Sequence, residues 1–246
     1  MSFFATYYGS SGWLIQFGGY RVLIDPWLTG SLSFPPGKWL LEGKLRNEYK
    51  APDSLNLLLL TQGLADHAHI PSLNLLPRAT KVIASPSAAL LVKKLGFEDV
   101  QEITPGNFIQ LEEITIQATP GAAVPNIENG YILTHLKGSL YIEPHGFFDE
   151  KTSYQKVDSV ITPVVNLKLP LMGNIINGKS ILPILIDKLK PINILSSTTG
   201  GDVEFTGLLN RFISSEGTIE EARKSIYGKA SFIDPIPGTR YELETS

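Results

Sequence analysis

The sequence predicts a mixed α/β (α+β) globule, and three observations carry that prediction. Short apolar runs of strand length alternate with amphipathic stretches of helical spacing, the rhythm of layered sheet-and-helix domains. Hydrophobic residues make up 43% and charged residues 18%, which suits a buried core and argues against disorder. The 246 residues fit one large domain over 1–246, with no linker, low-complexity segment or fixed-period repeat to divide them.

Taken in order, residues 3–8 read as an edge strand. Segments 13–17 and 21–25 flank Gly18-Gly19, a hairpin whose turn needs the positive φ that glycine supplies. Asp25 ends it, read first as a turn former and second as a partner orienting a loop histidine. Residues 29–50 show no clean period and fit either a lid over a pocket or a packed surface loop. Segments 57–60 and 81–84 are strands, and Ser85-Pro86-Ser87 opens a helix over 87–95 that Gly96 closes. A strand at 100–103 precedes two hairpins, 108–111 with 114–118 and 131–136 with 140–142. Segment 159–165 is a buried strand, and 166–179 is an apolar loop suited to a pocket wall, a partner surface or a local sub-core. A helix follows over 181–189 with Pro183 in its first turn, then a last core strand at 192–195. Thr218 and Glu221 form a capping box that opens a helix to Tyr227, and 231–244 finish in a short strand or tail.

Composition narrows the function classes. The net charge is −3, with no basic block and no aromatic-basic interleaving, so a nucleic-acid partner has no electrostatic footprint. The chain has no cysteine, which removes disulfides, thiolate catalysis and Cys-ligated metal. No apolar run approaches the roughly 20 residues that span a bilayer, and the start lacks the charged region of a signal peptide. The expectation is a cytoplasmic protein acting on a small-molecule substrate, with no membrane or nucleic-acid partner.

The chemistry concentrates where strand 57–60 breaks at Thr61-Gln62-Gly63 into a loop carrying Asp66, His67 and His69. Those are three potential ligands within four residues, in a chain of four histidines. Carboxylate oxygen with neutral imidazole nitrogen suits zinc, manganese or iron. The plainer reading is a polar loop whose histidines cap the short segment 70–76. The strand at 140–142 ends in Glu143-Pro144-His145-Gly146, placing a further carboxylate and imidazole in a strand-end loop. His135, alternating with apolar neighbours, reads as a sheet residue. Ser196 to Thr199 and Gly200-Gly201 follow the last core strand, and their hydroxyls and amides suit an anion.

The run Y-Y-G-S-S-G-W-L-I-Q-F-G-G-Y-R-V-L-I-D-P-W-L over 7–28, followed by strand-T-Q-G-L-A-D-H, resembles the amino-terminal half of metallo-β-lactamase-fold hydrolases. The resemblance implies a four-layer αββα sandwich and a metal-dependent hydrolase. Its T-H-x-H-x-D-H motif puts Gln62 and Leu64 where the first metal's histidines stand, and Asp66 and His67 at the second metal. A third first-site histidine falls on Ala122. The bridging Asp falls near Glu143 or His145, and the final histidine is replaced by Ser or Thr around Thr198 and Thr199.

The implied site is one divalent metal, zinc or manganese, or none, held by Asp66, His67, His69 and His145. Asp66 and Glu143 are the catalytic candidates, with Glu143 taking a proton where His145 ligates. Gln62, Thr198 and Thr199 are the substrate-binding candidates. The resemblance suggests a lactone, ester or phosphoester substrate. The competing readings are a catalytically degenerate binding module on the same scaffold and a metal-free acid–base enzyme.

Overall fold

The run Leu57–Leu60 shows how the layers arise. Successive side chains of a strand point to opposite faces, so Leu57 and Leu59 enter one core cluster and Leu58 and Leu60 another. An unbroken apolar run is what a strand covered on both sides requires. In this computed structural model, which describes residues 2–34, 36–123, 127–151, 154–169, 173–198 and 203–246, the covering layers are a second sheet and a set of helices.

The first seven-stranded sheet runs, edge to edge, Arg240–Glu242, Phe3–Gly9, Gly12–Phe17, Tyr20–Ile24, Leu57–Leu60, Val82–Ala84 and Val100–Glu102. The second runs Ser231–Ile233, Asn193–Ser196, Ser159–Thr162, Gly138–Ile142, Ile127–His135, Ile114–Ala123 and Phe108–Gln110. Each is mixed, with hairpin-linked antiparallel strands on one side and parallel strands on the other. Between the sheets lies a core in which Trp13, Ile15, Phe17 and Leu59 meet Ile116, Tyr131, Leu133 and Ile142. Helix Pro86–Lys94 covers the outer face of the first sheet through Ala88, Ala89 and Val92. Helices Gly178–Leu189 and Ile219–Ile226 cover the second through Leu182, Leu185, Ala222 and Ile226. Helices therefore flank two packed sheets, the four layers of an αββα sandwich.

Asn193–Ser196 is the last fully buried strand, and the short strand expected after 231, Ser231–Ile233, pairs parallel to it at the sheet edge. Three sequence expectations need correction. Phe3–Gly9 is not an edge strand, because Arg240–Glu242 pairs along its outer side. The helix expected from 181 begins at Gly178, which leaves Pro183 inside it rather than in the first turn. The unpatterned segments 29–50 and 166–179 contain strands that build two small sheets. One comprises Ser31–Ser33, Glu42–Leu45 and Val203–Thr206; the other comprises Asn166–Leu169, Gly173–Asn177 and Ser214–Glu216. Each combines a local antiparallel pair of short strands with a third strand that joins from far away in sequence. The capping box holds, with Glu221 N donating to Thr218 Oγ1 at 3.1 Å.

Candidate metal centre

The centre is built at the carboxyl ends of strands from both sheets. After Leu60 the chain turns through Gly63, whose missing side chain lets the loop approach helix Pro86–Lys94. A Cβ there would sit 2.8 Å from the Ser87 carbonyl group, and Gly63 N donates to Ser87 Oγ. A tight turn follows, in which His67 N and Ala68 N both donate to Leu64 O, and it projects Asp66 and His67 toward the second sheet. His145 arrives from that sheet, just past Gly138–Ile142. The His67 and His145 rings lie 5.1 Å apart, and ligand atoms of Asp66, His67 and His145 all fall within 4.8 Å of one another.

His67 is held from behind. Its Nδ1 lies 2.8 Å from Asp25 Oδ2 and 3.1 Å from Thr61 Oγ1. Thr61 in turn donates its hydroxyl to Asp25 Oδ2 at 2.5 Å and its backbone N–H to Asp25 Oδ1 at 2.8 Å. Asp25 and His67 are both almost wholly buried. A carboxylate behind Nδ1 fixes the proton there and turns Nε2 forward, the usual arrangement behind a ligating imidazole. Nε2 faces Asp66 Oδ2 at 3.3 Å. Asp25 is thus the partner orienting a loop histidine, and its φ of 41° is the strained conformation that lets it reach inward.

Charge follows geometry. Burial alone pushes the His67 imidazole down, but the Asp66 and Asp25 carboxylates on either side outweigh it and hold the group well above its ordinary value. Burial likewise pushes Asp66 up, yet the positive charge of His67 prevails and leaves its carboxyl below the ordinary range. The two carboxylates thus favour positive charge on His67 between them.

Other candidates go elsewhere. His69 is not brought to the cluster: Nδ1 engages Ser72 Oγ at 2.9 Å, Nε2 engages Ser31 O at 3.3 Å, and the ring packs on Trp27. Burial pushes its imidazole down, with the Ser31 carbonyl acting in the opposite direction. His69 stands at the N-cap position of helix Ile70–Leu73, with no side-chain hydrogen bond to the helix backbone. His135 stacks on Phe17 and accepts the Lys137 N–H, as a sheet residue should. Glu143 is wholly buried, with Oε2 accepting the N–H groups of His145 and Phe147 and Oε1 that of Ala122. Its carboxylate shapes the loop that presents His145.

Gln62 is buried, and its amide nitrogen has no hydrogen-bond partner. Thr198 takes the left-handed conformation, at a φ of 61°, that non-glycine residues seldom adopt. Its hydroxyl donates to Pro144 O and its N–H to Ser10 O, tying the His145 loop to the turn after Phe3–Gly9. Thr199 lies outside the described residues. Sequence reasoning missed Ser10 and Ser11: Ser10 lines the cavity over Asp66, and Ser11 Oγ donates to Asp66 O. Both stand in the G-S-S-G-W run, and the pairing of Ser11 with a loop 55 residues on, like that of Ser10 with Thr198, left no local signal.

The residues present fit a metal ion. Among the described residues Asp66 Oδ1 is buried without a hydrogen-bond partner, and the donor set of one carboxylate and two imidazoles is a familiar one for zinc or manganese. Two ligands on one ion stand at most about 4.2 Å apart, so small side-chain movements close the cluster onto it. Gln62, Leu64 and Ala122 supply no second set.

The fold and this cluster frame the comparisons. A beta-lactamase superfamily domain model matches residues 5–196. The chain belongs to that superfamily. Among solved structures, it is similar to Igni18, a metallo hydrolase from the archaeon Ignicoccus hospitalis, at 16% identity and a TM-score of 0.69 over 100% of both chains. A possible metal-dependent hydrolase from Veillonella parvula matches at 16% identity and 0.70, covering 99% of this chain and 100% of that one. The metallo-beta-lactamase fold protein YhfI from Bacillus subtilis matches at 12% and 0.65, over 98% and 100%. At these identities the likeness shows the fold. No curated protein matches the chain in sequence. Among the described residues of this superfamily member, no helix is long and apolar enough to cross a membrane.

Proposed function

We propose that this superfamily member is a metal-dependent hydrolase using one divalent ion, held by Asp66, His67 and His145. The observation that carries the reading is the Asp25–Thr61–His67 relay. A wholly buried carboxylate, spent on fixing one nitrogen of one imidazole, has a purpose if the other nitrogen must meet an ion. The ion, zinc or manganese, supplies an acidified water and polarises a carbonyl or phosphoryl oxygen. Asp25 holds the proton on His67 Nδ1, Glu143 and Thr198 hold the loop that presents His145, and Ser11 steadies the backbone at Asp66. Three protein ligands leave coordination open to solvent and substrate. Lactones, esters and phosphoesters are the substrate classes this supports, with no nucleic-acid or membrane partner.

A second reading rests on a specific observation. His67 and Asp66 already neutralise one another, and the first-metal positions carry Gln62, Leu64 and Ala122. A binding module on a degenerate scaffold would look the same there. Metal-to-protein stoichiometry after dialysis, with zinc titration, separates the two. The hydrolase reading expects at most one exchangeable equivalent, and no tighter binding in Gln62→His/Leu64→His, because Ala122 still lacks a ligand. Two tightly held equivalents overturn the missing first site. None at any concentration gives the case to the binding module.

A further inference from the structure

The cavity above Asp66 has a chemistry that the metal cluster does not dictate. It encloses about 510 Å³, within the range of small-molecule sites. The two small sheets build most of its wall, through Leu32, Phe34 and Leu41 on one side and Leu167, Ile175 and Ile176 on another, with Phe205 from the strand Val203–Thr206. Asp66 is the only charged residue among its described lining, and no lysine or arginine faces it. The lysines of the neighbouring strand and helix are engaged: Lys168 pairs with Glu216 at 2.7 Å and Lys179 with Glu221 at 3.0 Å. The lining's polar groups are few and neutral, among them Ser10, Thr198 and Ser215.

Resting on the hydrolase reading, we infer that the substrate is a neutral ester or lactone carrying an aliphatic acyl chain, and that the chain lies in this cavity. Recognition of a phosphate monoester calls for cationic donors that match its charge. Apart from an ion held at the Asp66 end, the described wall offers one carboxylate and no cationic side chain, which disfavours such a ligand. Apolar walls favour a chain, since each buried methylene strengthens binding by about fourfold. The Asp66 end of the cavity then receives the acyl carbon, and the chain extends between the two small sheets. In the reaction, water forms a new bond to the acyl carbon and the ester C–O bond breaks. One proton of the water leaves with the alcohol oxygen, and the carboxylic acid keeps the other hydroxyl component.

Binding of butanamide, octanamide and octyl phosphate to the intact chain tests the cavity without needing turnover. Four extra methylenes, partly buried, are expected to make octanamide bind at least about thirtyfold tighter than butanamide, and tighter than octyl phosphate. Ile175→Arg is expected to abolish most of that gain while the circular dichroism spectrum stays that of a folded protein; Leu167→Arg replaces it if the first variant misfolds. Equal binding of the two amides, or tighter binding of octyl phosphate, overturns the inference. Hydrolysis of p-nitrophenyl butyrate and octanoate with added zinc or manganese keeps the two readings apart. Octanamide binding without turnover of either ester upholds the cavity and sinks the hydrolase. Turnover with no preference for octanoate does the reverse.

Discussion

Asp25→Asn isolates the electrostatics of the relay behind His67. The substitution keeps size and shape, and asparagine tolerates the left-handed backbone that Asp25 adopts at a φ of 41°. It removes one negative charge and one acceptor. Asp25 now serves three donors: Oδ1 receives the Thr61 N–H at 2.8 Å, and Oδ2 receives the Thr61 hydroxyl at 2.5 Å and faces His67 Nδ1 at 2.8 Å. An amide has one oxygen, so one of these groups must confront an N–H. If the amide nitrogen faces His67, the ring is driven to the tautomer with its proton on Nε2, the nitrogen aimed at Asp66 and the ion.

Losses behind a ligand typically cost about 10–100-fold in metal affinity. Full burial of the pair and the competing tautomer place this case near the upper end, about 2.7 kcal/mol. Zinc affinity is measured by competition with a chromophoric chelator. In the metal-free protein, the loss of a negative charge beside a cation also lowers the pH at which the His67 ring resonances titrate, since the two flanking carboxylates are what hold it high. An Asn variant that binds zinc within about twofold of the parent, against the tens-fold loss expected of such a partner, would refute the relay. So would an unchanged His67 titration.

Three further outcomes are expected. His69→Ala should leave metal stoichiometry unchanged but lower unfolding free energy by about 2 kcal/mol in urea melts, because it deletes the contacts to Ser72, Ser31 and Trp27. Gly146→Ala should destabilise by about 1–3 kcal/mol and weaken zinc binding: its φ is +72° and a Cβ would sit 2.6 Å from Gly178 N, so the loop carrying His145 must shift. For Asp158, burial pushes the carboxyl up, but N–H donation from Ser246 and both donors of Ser139 outweigh it and hold it low. A depressed folded value means the stabilisation is complete above the unfolded carboxyl value of about 3.9 and fades as pH falls through the folded one. Asp158→Asn should therefore flatten the acid limb of stability measured from pH 6 downward.

How far the sequence could be read depended on the range of the interactions involved. Leu57–Leu60 and the Thr218–Glu221 box announced themselves because burial on both faces and capping leave local patterns. Asp66 and His67 were visible as neighbours, and His145 as a strand-end histidine, since a ligand must leave its strand to reach an open cleft. The job of Asp25 was not visible: an Asp-Pro pair ends many strands, and only the parallel pairing of Tyr20–Ile24 with Leu57–Leu60 places it beside Thr61. His69 misled for the opposite reason. Two residues beyond His67, it looked like a ligand, but it enters the short helix Ile70–Leu73, which turns its ring toward Ser72 and Ser31. Glu143 was legible as a strand-end carboxylate, but not the N–H groups of His145, Phe147 and the distant Ala122 that it accepts.

The two sheets contribute unequally to the cluster of Asp66, His67 and His145. The first sheet supplies Asp66 and His67 together with the carboxylate that orients them, a nearly complete half-site. The second supplies His145 alone, on a loop held by Glu143, Thr198 and the Gly146 contact with Gly178. An ion held by all three residues would draw ligands from both sheets, and its binding would then report on how they meet. It adds stability only as the logarithm of its saturation, so a weakly held ion adds little. The sandwich must stand without it, and the inter-sheet core of Trp13, Phe17, Tyr131 and Leu133 provides that independence. A second ion would need donors on the side where Leu64 and Ala122 stand. Neither residue lines the cavity or offers a side-chain ligand, so the open face of the centre leads instead to the apolar walls raised by the two small sheets.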